Sequence, residues 1–362
     1  MLLSLALVPA ASASFLYWAN DGATSTTVGR SNIDGTGVNQ SFITGANIPC
    51  FVAVDATHVY WANVGDTTIG RANLDGTGAD QSFITGANVP CGVAVDASHV
   101  YWVNGDNTIG RANLNGTGVD QSFITGANQP CGMTVDSNFV YWANGNNGPG
   151  TTIGRANLNG TGVDQSFITG ASSPCGVAVD ASHVYWANYG VGAGTTIGRA
   201  NLNGTGADQN FIPGGSAPCG VAVDANYVYW GNFGSTTIGR ANLNGTGVNQ
   251  SFIGGAEAPC GVAVDVLPSN TTISTAKIKR KKRIATFSFT ADQATGFQCA
   301  LVKPKKKSKK KSKHPKKPKV KFSTCSSPRT YKRLKPGKYT FQVRGVNSAG
   351  TDPSPAIRKF KI

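Results

Sequence analysis

From residue 15 to residue 266 short apolar runs alternate with clusters of Gly, Asn, Asp, Ser and Thr, and the pattern returns about every 40 residues. Residues 91–126 show one unit. Gly92-Val93-Ala94-Val95 sets valines against small residues, and Asp96-Ala97-Ser98 reads as a turn. His99-Val100-Tyr101-Trp102-Val103 is a second run, followed by a polar loop at 104–107. Thr108-Ile109-Gly110-Arg111-Ala112-Asn113-Leu114 is a third, closed by Asn115-Gly116-Thr117-Gly118, and Asn-Gly is the strongest short hairpin signal. Gln121-Ser122-Phe123-Ile124 is a fourth, and residues 126–130 lead into the next unit. Each run has strand chemistry and turn residues at both ends. The Gly and Asn density and the lack of any 3.6-residue period exclude a helical solenoid.

Four strands per unit, repeated at a fixed period, predict an all-β fold of propeller type. Small residues alternating with valine suit the crowded innermost strand, where neighbouring units approach closely. The count sets the size. Six Tyr-Trp strands, at Trp18, Trp61, Trp102, Trp142, Trp186 and Trp230, are spaced 43, 41, 40, 44 and 44 residues apart. Six innermost strands lie at 52–55, 93–96, 133–136, 177–180, 221–224 and 262–265. The array begins on a Tyr-Trp strand and ends on an innermost one. The expected architecture is therefore a six-bladed β-propeller over 15–266 with three-plus-one closure, the first blade taking its innermost strand from 260–265. Such closure removes open sheet edges.

The motifs Tyr-Trp-x-Asx, Ile-x-Arg-Ala-Asn-Leu-Asp-Gly and Pro-x-Gly-x-Ala-Val-Asp, which recur with single-residue departures in every unit, resemble the YWTD repeats of low-density-lipoprotein-receptor class B-like propellers. One departure is constant: where that family has Thr-Asp, this chain has Asn20, Asn63, Asn104, Asn144, Asn188 and Asn232. The resemblance implies binding or scaffolding more readily than catalysis. Similar propellers include the streptogramin-lyase-like group, so a propeller lyase or hydrolase is the alternative reading.

In an antiparallel blade, successive turns alternate between the two ends. The turns after the first and third strands barely vary. The loop after the second strand carries the length variation, and variable loops on a rigid scaffold are where binding resides. Asp21, Asp66, Asp106, Asn146, Tyr189 and Phe233 are the candidate binding-face residues. The three carboxylates come from consecutive blades, which makes a cation site conceivable, with solvated loop acids as the plainer reading. The same end carries Cys50, Cys91, Cys131, Cys175, Cys219 and Cys260, one per unit, as a ring near the channel. These are free buried residues, or neighbours paired as disulfides, or ligands of a soft metal. No C-x-x-C and no His accompanies the ring, so no metal or cofactor is expected. Arg30, Arg71, Arg111, Arg155, Arg199 and Arg240 recur once per unit and pair with a neighbouring carboxylate or carbonyl. The strand-end aspartates cap the turns that follow them. Units this alike show no differentiated acid, base or nucleophile, and no catalytic residue is assigned.

Charge divides the chain. Residues 1–266 hold no lysine and six arginines against sixteen acidic residues, a net charge of −10, while residues 267–362 carry +25. The start, Met-Leu-Leu-Ser-Leu-Ala-Leu-Val-Pro-Ala-Ala-Ser-Ala, resembles a secretory signal over 1–14 without the usual positive residues: a weak signal, or a true start further upstream. With a cysteine-rich body it points to a secreted or cell-surface, monomeric protein. Residues 267–276 read as a linker and 277–362 as a β-sandwich. Leu334 to Arg344 resembles the late strands of immunoglobulin and fibronectin-III modules, with Tyr339 placed like a tyrosine corner, and the segment from Phe297 to Pro328 resembles the paired cysteines of bacterial surface modules. That resemblance implies a Cys299–Cys325 disulfide. Residues 303–321, a dense lysine run with prolines, are expected to be disordered. Lys305, Lys306, Lys307, Lys309, Lys310, Lys311, Lys316 and Lys317 form a point-charge array for an anionic cell-wall polymer or membrane surface. The run has no aromatic residue, which argues against nucleic acid. A protein or carbohydrate ligand is expected on the propeller face.

Overall fold

The computed structural model describes residues 15–55, 57–145, 150–190, 194–265, 269–292, 294, 296–303, 320–347, 350–352 and 355–362. The signal-like segment, Asn146 and the candidate lysines from Lys305 to Lys317 lie outside the described residues. The chain divides into two compact units, Ser14–Asp265 and Val266–Ile362, and strands are their regular elements.

The first unit holds six four-stranded antiparallel sheets. One comprises Pro49–Val54, His58–Asn63, Thr68–Asn73 and Asp80–Ile84, in that order from innermost to outermost. The sheet of Phe15–Asn20 takes its innermost strand from Pro259–Val264, with Leu16 opposite Val264 and Trp18 opposite Val262. Innermost strands neighbour one another in a cycle, and Pro259–Val264 in turn meets Pro49–Val54. The arrangement is a β-propeller.

Glycine permits that central crowding. A Cβ on Gly220 would stand 2.3 Å from the Cys260 carbonyl, and one on Gly176 2.6 Å from the Cys219 carbonyl, so neighbouring innermost strands touch backbone to backbone. Between these strands and the rim lies an aromatic layer. All six tryptophans are fully buried, each Nε1 donating to a glutamine Oε1 of its own outer strand, as Trp102 does to Gln121 at 3.0 Å. Arginine ties sheet to sheet through the carbonyl option. Arg71 lies 3.8 Å over the Phe83 ring and donates to the Leu114 carbonyl of the next sheet at 3.1 Å. Strand-end aspartates act as caps: Asp55 accepts from the Thr57 and His58 amides and from the Tyr60 hydroxyl.

Two local expectations change. Five of the six innermost strands begin at the proline before the cysteine, so five of the six cysteines belong to strands rather than to links, while Cys91 precedes Val93–Val95. The extra length is accommodated by a register irregularity, for instance between Pro130 and Met133. The Asx-Gly turns are wider than two-residue hairpins. Residues 74–79 form a loop closed by Thr77, whose amide and hydroxyl both donate to Asp75, and a Cβ on Gly76 would stand 3.0 Å from Phe42 Cζ of the preceding sheet. Contact with the neighbouring sheet sets this turn.

The second unit has two antiparallel sheets. One contains Ser269–Lys279, Ile284–Asp292 and Arg329–Tyr331; the other contains Gly296–Val302, Ser323–Cys325, Lys338–Asn347, Gly350–Thr351 and Ala356–Lys361. Phe287 and Phe341, one from each sheet, stack at 4.1 Å in a core with Ala285, Phe289, Cys299 and Val343. Cys299 is bonded to Cys325 at a Cα separation of 5.8 Å, and the Tyr339 hydroxyl donates to the Lys335 carbonyl at 2.8 Å.

Candidate functional site

The asparagine that ends each second strand organises one end of the propeller. Asn63 donates from Nδ2 to the Gln81 carbonyl at 3.0 Å and to the Thr68 hydroxyl at 3.2 Å, while its Oδ1 accepts from the Asn47 amide at 3.1 Å. The other five asparagines repeat this, with Asn20 accepting from the Glu257 amide and Asn232 from that of Ser216. An amide supplies two donor hydrogens and an acceptor on one side chain, which a hydroxyl or a carboxylate cannot. A carboxylate would lose both donations, which accounts for Asn where the YWTD pattern has Asp. The link that each asparagine fixes contains a non-glycine residue at positive φ, from Ile48 at 48° and Val89 at 44° to Ala258 at 43°, always one residue before the Pro-Cys pair.

The residue after each asparagine is thereby held at the mouth of the central channel. Around the ring these are Asp21, Val64, Gly105, Gly145, Tyr189 and Phe233. With the six cysteines they enclose a cavity of about 240 Å³, Val89 standing in the wall in place of Gly105. The cysteines are alike; this collar is not. It has an acid, an aromatic pair and an open side made by glycine. Tyr189 and Phe233 meet edge to face at 5.9 Å and pack on the cysteine layer. Phe51, the single replacement for glycine in the Cys-Gly pairs, belongs to the same buried cluster, and its ring would lie 2.6 Å from a Cβ on Gly132, two sheets away.

Asp21 is the distinctive group. Its carboxyl lies within 4.8 Å of the Cys50 and Cys260 sulfurs, and burial pushes it up to about 7. Asp66 and Asp106 do not join it. Asp66 accepts from Asn47 Nδ2 at 2.6 Å, and Asp106 accepts from the Thr108 hydroxyl at 2.6 Å, which holds its carboxyl below the usual range. Asp66 is satisfied by the link that enters its own sheet and Asp106 within its own loop, so the three carboxylates form no common cation site. Val64, Gly145, Glu257 and Phe51 were not singled out from the sequence. The column after the repeated asparagine and the break in Cys-Gly at Phe51 were the available signals.

The cysteines divide between two of the three readings. Cys50 is bonded to Cys91 and Cys219 to Cys260, at Cα separations of 5.2 and 4.9 Å. Cys131 and Cys175 are buried thiols. Burial, with Cys131 alongside, holds the Cys175 thiol well above its ordinary range, so it stays protonated. The Cys175 Sγ lies 2.8 Å from that of Cys219, and Cys131 Sγ lies 3.9 Å from that of Cys91. Cys175, Cys219 and Cys260 converge as a metal set would, but two of these sulfurs share a bond and lack the thiolate charge a soft metal needs.

No protein-family model and no curated protein sequence matches the chain. Among solved structures it is similar to a chain of a nidogen/laminin complex, with a TM-score of 0.56 at 19% identity, over 69% of this chain and 98% of that one. It also aligns with the extracellular domain of a putative one-component system from B. thetaiotaomicron, with a TM-score of 0.43 at 12% identity, over 97% of this chain and 57% of that one. The first likeness supports the β-propeller fold.

Proposed function

We propose that the chain is a secreted or cell-surface binding protein that uses the cavity-bearing end of the propeller to hold a protein or carbohydrate ligand. The observation that carries this reading is the collar. One position, fixed in place six times by the same asparagine network, presents chemically different side chains at a shared cavity. On this reading the six sheets are a six-bladed propeller with three-plus-one closure. The second unit is an immunoglobulin or fibronectin-III-like module, for which the Tyr339–Lys335 hydrogen bond speaks. That a similar fold occurs in the nidogen/laminin complex fits a protein ligand. A lyase or hydrolase is less well served: Asp21 would need a second group titrating near it, and Tyr189 is pushed above its ordinary range by burial.

Mapping the two ends tests this. The full chain is applied to a glycan array and a panel of surface-protein ectodomains. Tyr189→Ala/Phe233→Ala is expected to weaken capture of the best hit at least ~10-fold, the effect of losing two half-buried aromatic anchors. Asp75→Ala/Asn115→Ala, at turns of the other end, is expected to leave it unchanged. Loss through the second pair, or through neither, rejects the assignment.

The lysine-rich segment is read as a tether to polyanions, on charge alone. Deleting 303–321 should bring elution from heparin to markedly lower salt. Unchanged elution sinks the tether.

A further inference from the structure

We propose that the mouth of this cavity is a site for an organic cation, an alkylammonium or guanidinium group on an apolar stem, held between the Asp21 carboxylate and the Tyr189–Phe233 wall. The proposal rests on the reading of this end as the binding end and names its ligand chemistry.

Among the described residues the Asp21 carboxylate has no hydrogen-bond donor and no ion-pair partner. Asp21 is half-buried at the cavity wall, and a carboxylate withdrawn from water without a partner is costly, so a site that keeps one is arranged for a charge that arrives from outside. The propeller itself cannot supply that charge. It has no lysine, and its six guanidiniums each lie over an aromatic ring at 3.8 Å, committed to contacts within and between sheets. Two aromatic rings, Tyr189 and Phe233, line the same cavity as the acid, and aromatic faces attract a cation. The cavity, about 240 Å³, suits a side-chain-sized group rather than a large ligand. Glu257, next to Gly22 at the rim, adds a second acid to the approach. Tyr189, Cys175 and the bonded sulfurs of Cys50 and Cys260 also face Asp21, and Cys131 lines the same cavity; burial holds Tyr189 and Cys175 protonated, so they bring no charge of their own.

Calorimetry on the full chain tests the site. The probes are n-butylammonium, N-acetyl-lysine methylamide and the neutral N-acetyl-norleucine methylamide. At pH 8 the two cations are expected to bind with Kd of about 1 mM, modest because the ligand is small, and the neutral analogue at least ~10-fold more weakly. Below the Asp21 titration near pH 7 the cation affinity should fall about 10-fold per pH unit, since protonation and the cation compete. Asp21→Asn should abolish cation binding, and Phe233→Ala should weaken it several-fold.

A stability readout separates lost binding from lost folding. The raised carboxyl takes up protons more readily folded than unfolded, so ionising Asp21 lowers stability as pH rises from about 4 to about 7. Asp21→Asn should therefore melt higher than the native chain at pH 8 and not at pH 3. Equal binding of the neutral analogue, undiminished binding by Asp21→Asn, or no binding of either cation at tens of millimolar overturns the proposal. If the aromatic variants abolish capture of the macromolecular ligand while neither amine binds, the binding end stands and the cation site falls. A preference of more than ~10-fold for the lysine amide over butylammonium assigns the cation to a protein side chain, and equal affinity assigns it to a free amine.

Discussion

Gly110→Ala is expected to destabilise the propeller by about 3 kcal/mol, the upper part of the range for overpacking a core, although alanine is ordinarily better than glycine in a strand. Gly110 sits in a third strand directly opposite Trp102, and a Cβ there would lie 2.2 Å from the indole Cε2. The indole has nowhere to go. It is fully buried, and its Nε1 is held by Gln121 at 3.0 Å. The same pairing recurs in every sheet, with Gly29, Gly70, Gly154, Gly198 and Gly239 each within 2.4 Å of an indole carbon by the same measure. Gly254 is the control: it ends an outer strand with nothing within 4 Å of its Cβ position, so Gly254→Ala should stay within about 0.5 kcal/mol of the native chain. Denaturation midpoints decide between them. Combining Gly110→Ala with Trp102→Phe should recover part of the loss, because the two changes act on one contact. Equal midpoints for the Gly110 and Gly254 variants would show that the indole can yield.

Removing both propeller disulfides has the largest expected effect. Each joins residues 41 apart, so constraint of the unfolded chain is worth roughly 4 kcal/mol per bond. Together they approach the total stability of an ordinary domain, about 5–15 kcal/mol. Cys50→Ser/Cys91→Ser and Cys219→Ser/Cys260→Ser close loops of equal length, so the entropy terms match and any difference lies in the folded state. The second pair should cost more, because it joins the last innermost strand but one to the strand that completes the sheet of Phe15–Asn20. Paired substitutions are needed: Cys260→Ser alone leaves Cys219 beside the Cys175 thiol at 2.8 Å, free to form a new neighbour bond. Melting of the two double variants under oxidising conditions is the measurement. A loss under about 1 kcal/mol for both would mean that the bonds constrain little.

Strands, turns and the crowded centre were legible because they depend on local chemistry. Alternating apolar positions, Asx-Gly turns and glycine beside cysteine each carry their own warrant within a few residues. The candidate site was half legible. Tyr189, Phe233 and Asp21 stand out as variable residues in a regular array, but Asp66 and Asp106 stand out equally, and nothing local says that Asn47 and Thr108 satisfy them. The tryptophan–glycine contact was not visible either. Gly110 reads as a weak strand residue until it is seen to face Trp102 across the sheet.

By itself the sequence determined the all-β repeat, the one-per-unit rings of cysteine, arginine and asparagine, and the segregation of charge, since periodicity and composition are properties of the chain. Tertiary structure alone decided which carboxylate lies in the cavity, which cysteines are bonded and why glycine must face each indole. Those outcomes depend on distances between residues some 40 positions or more apart in the chain, or on opposite strands, and on burial, which turns identical carboxyl groups into a satisfied loop acid at Asp66 and an unpaired one at Asp21.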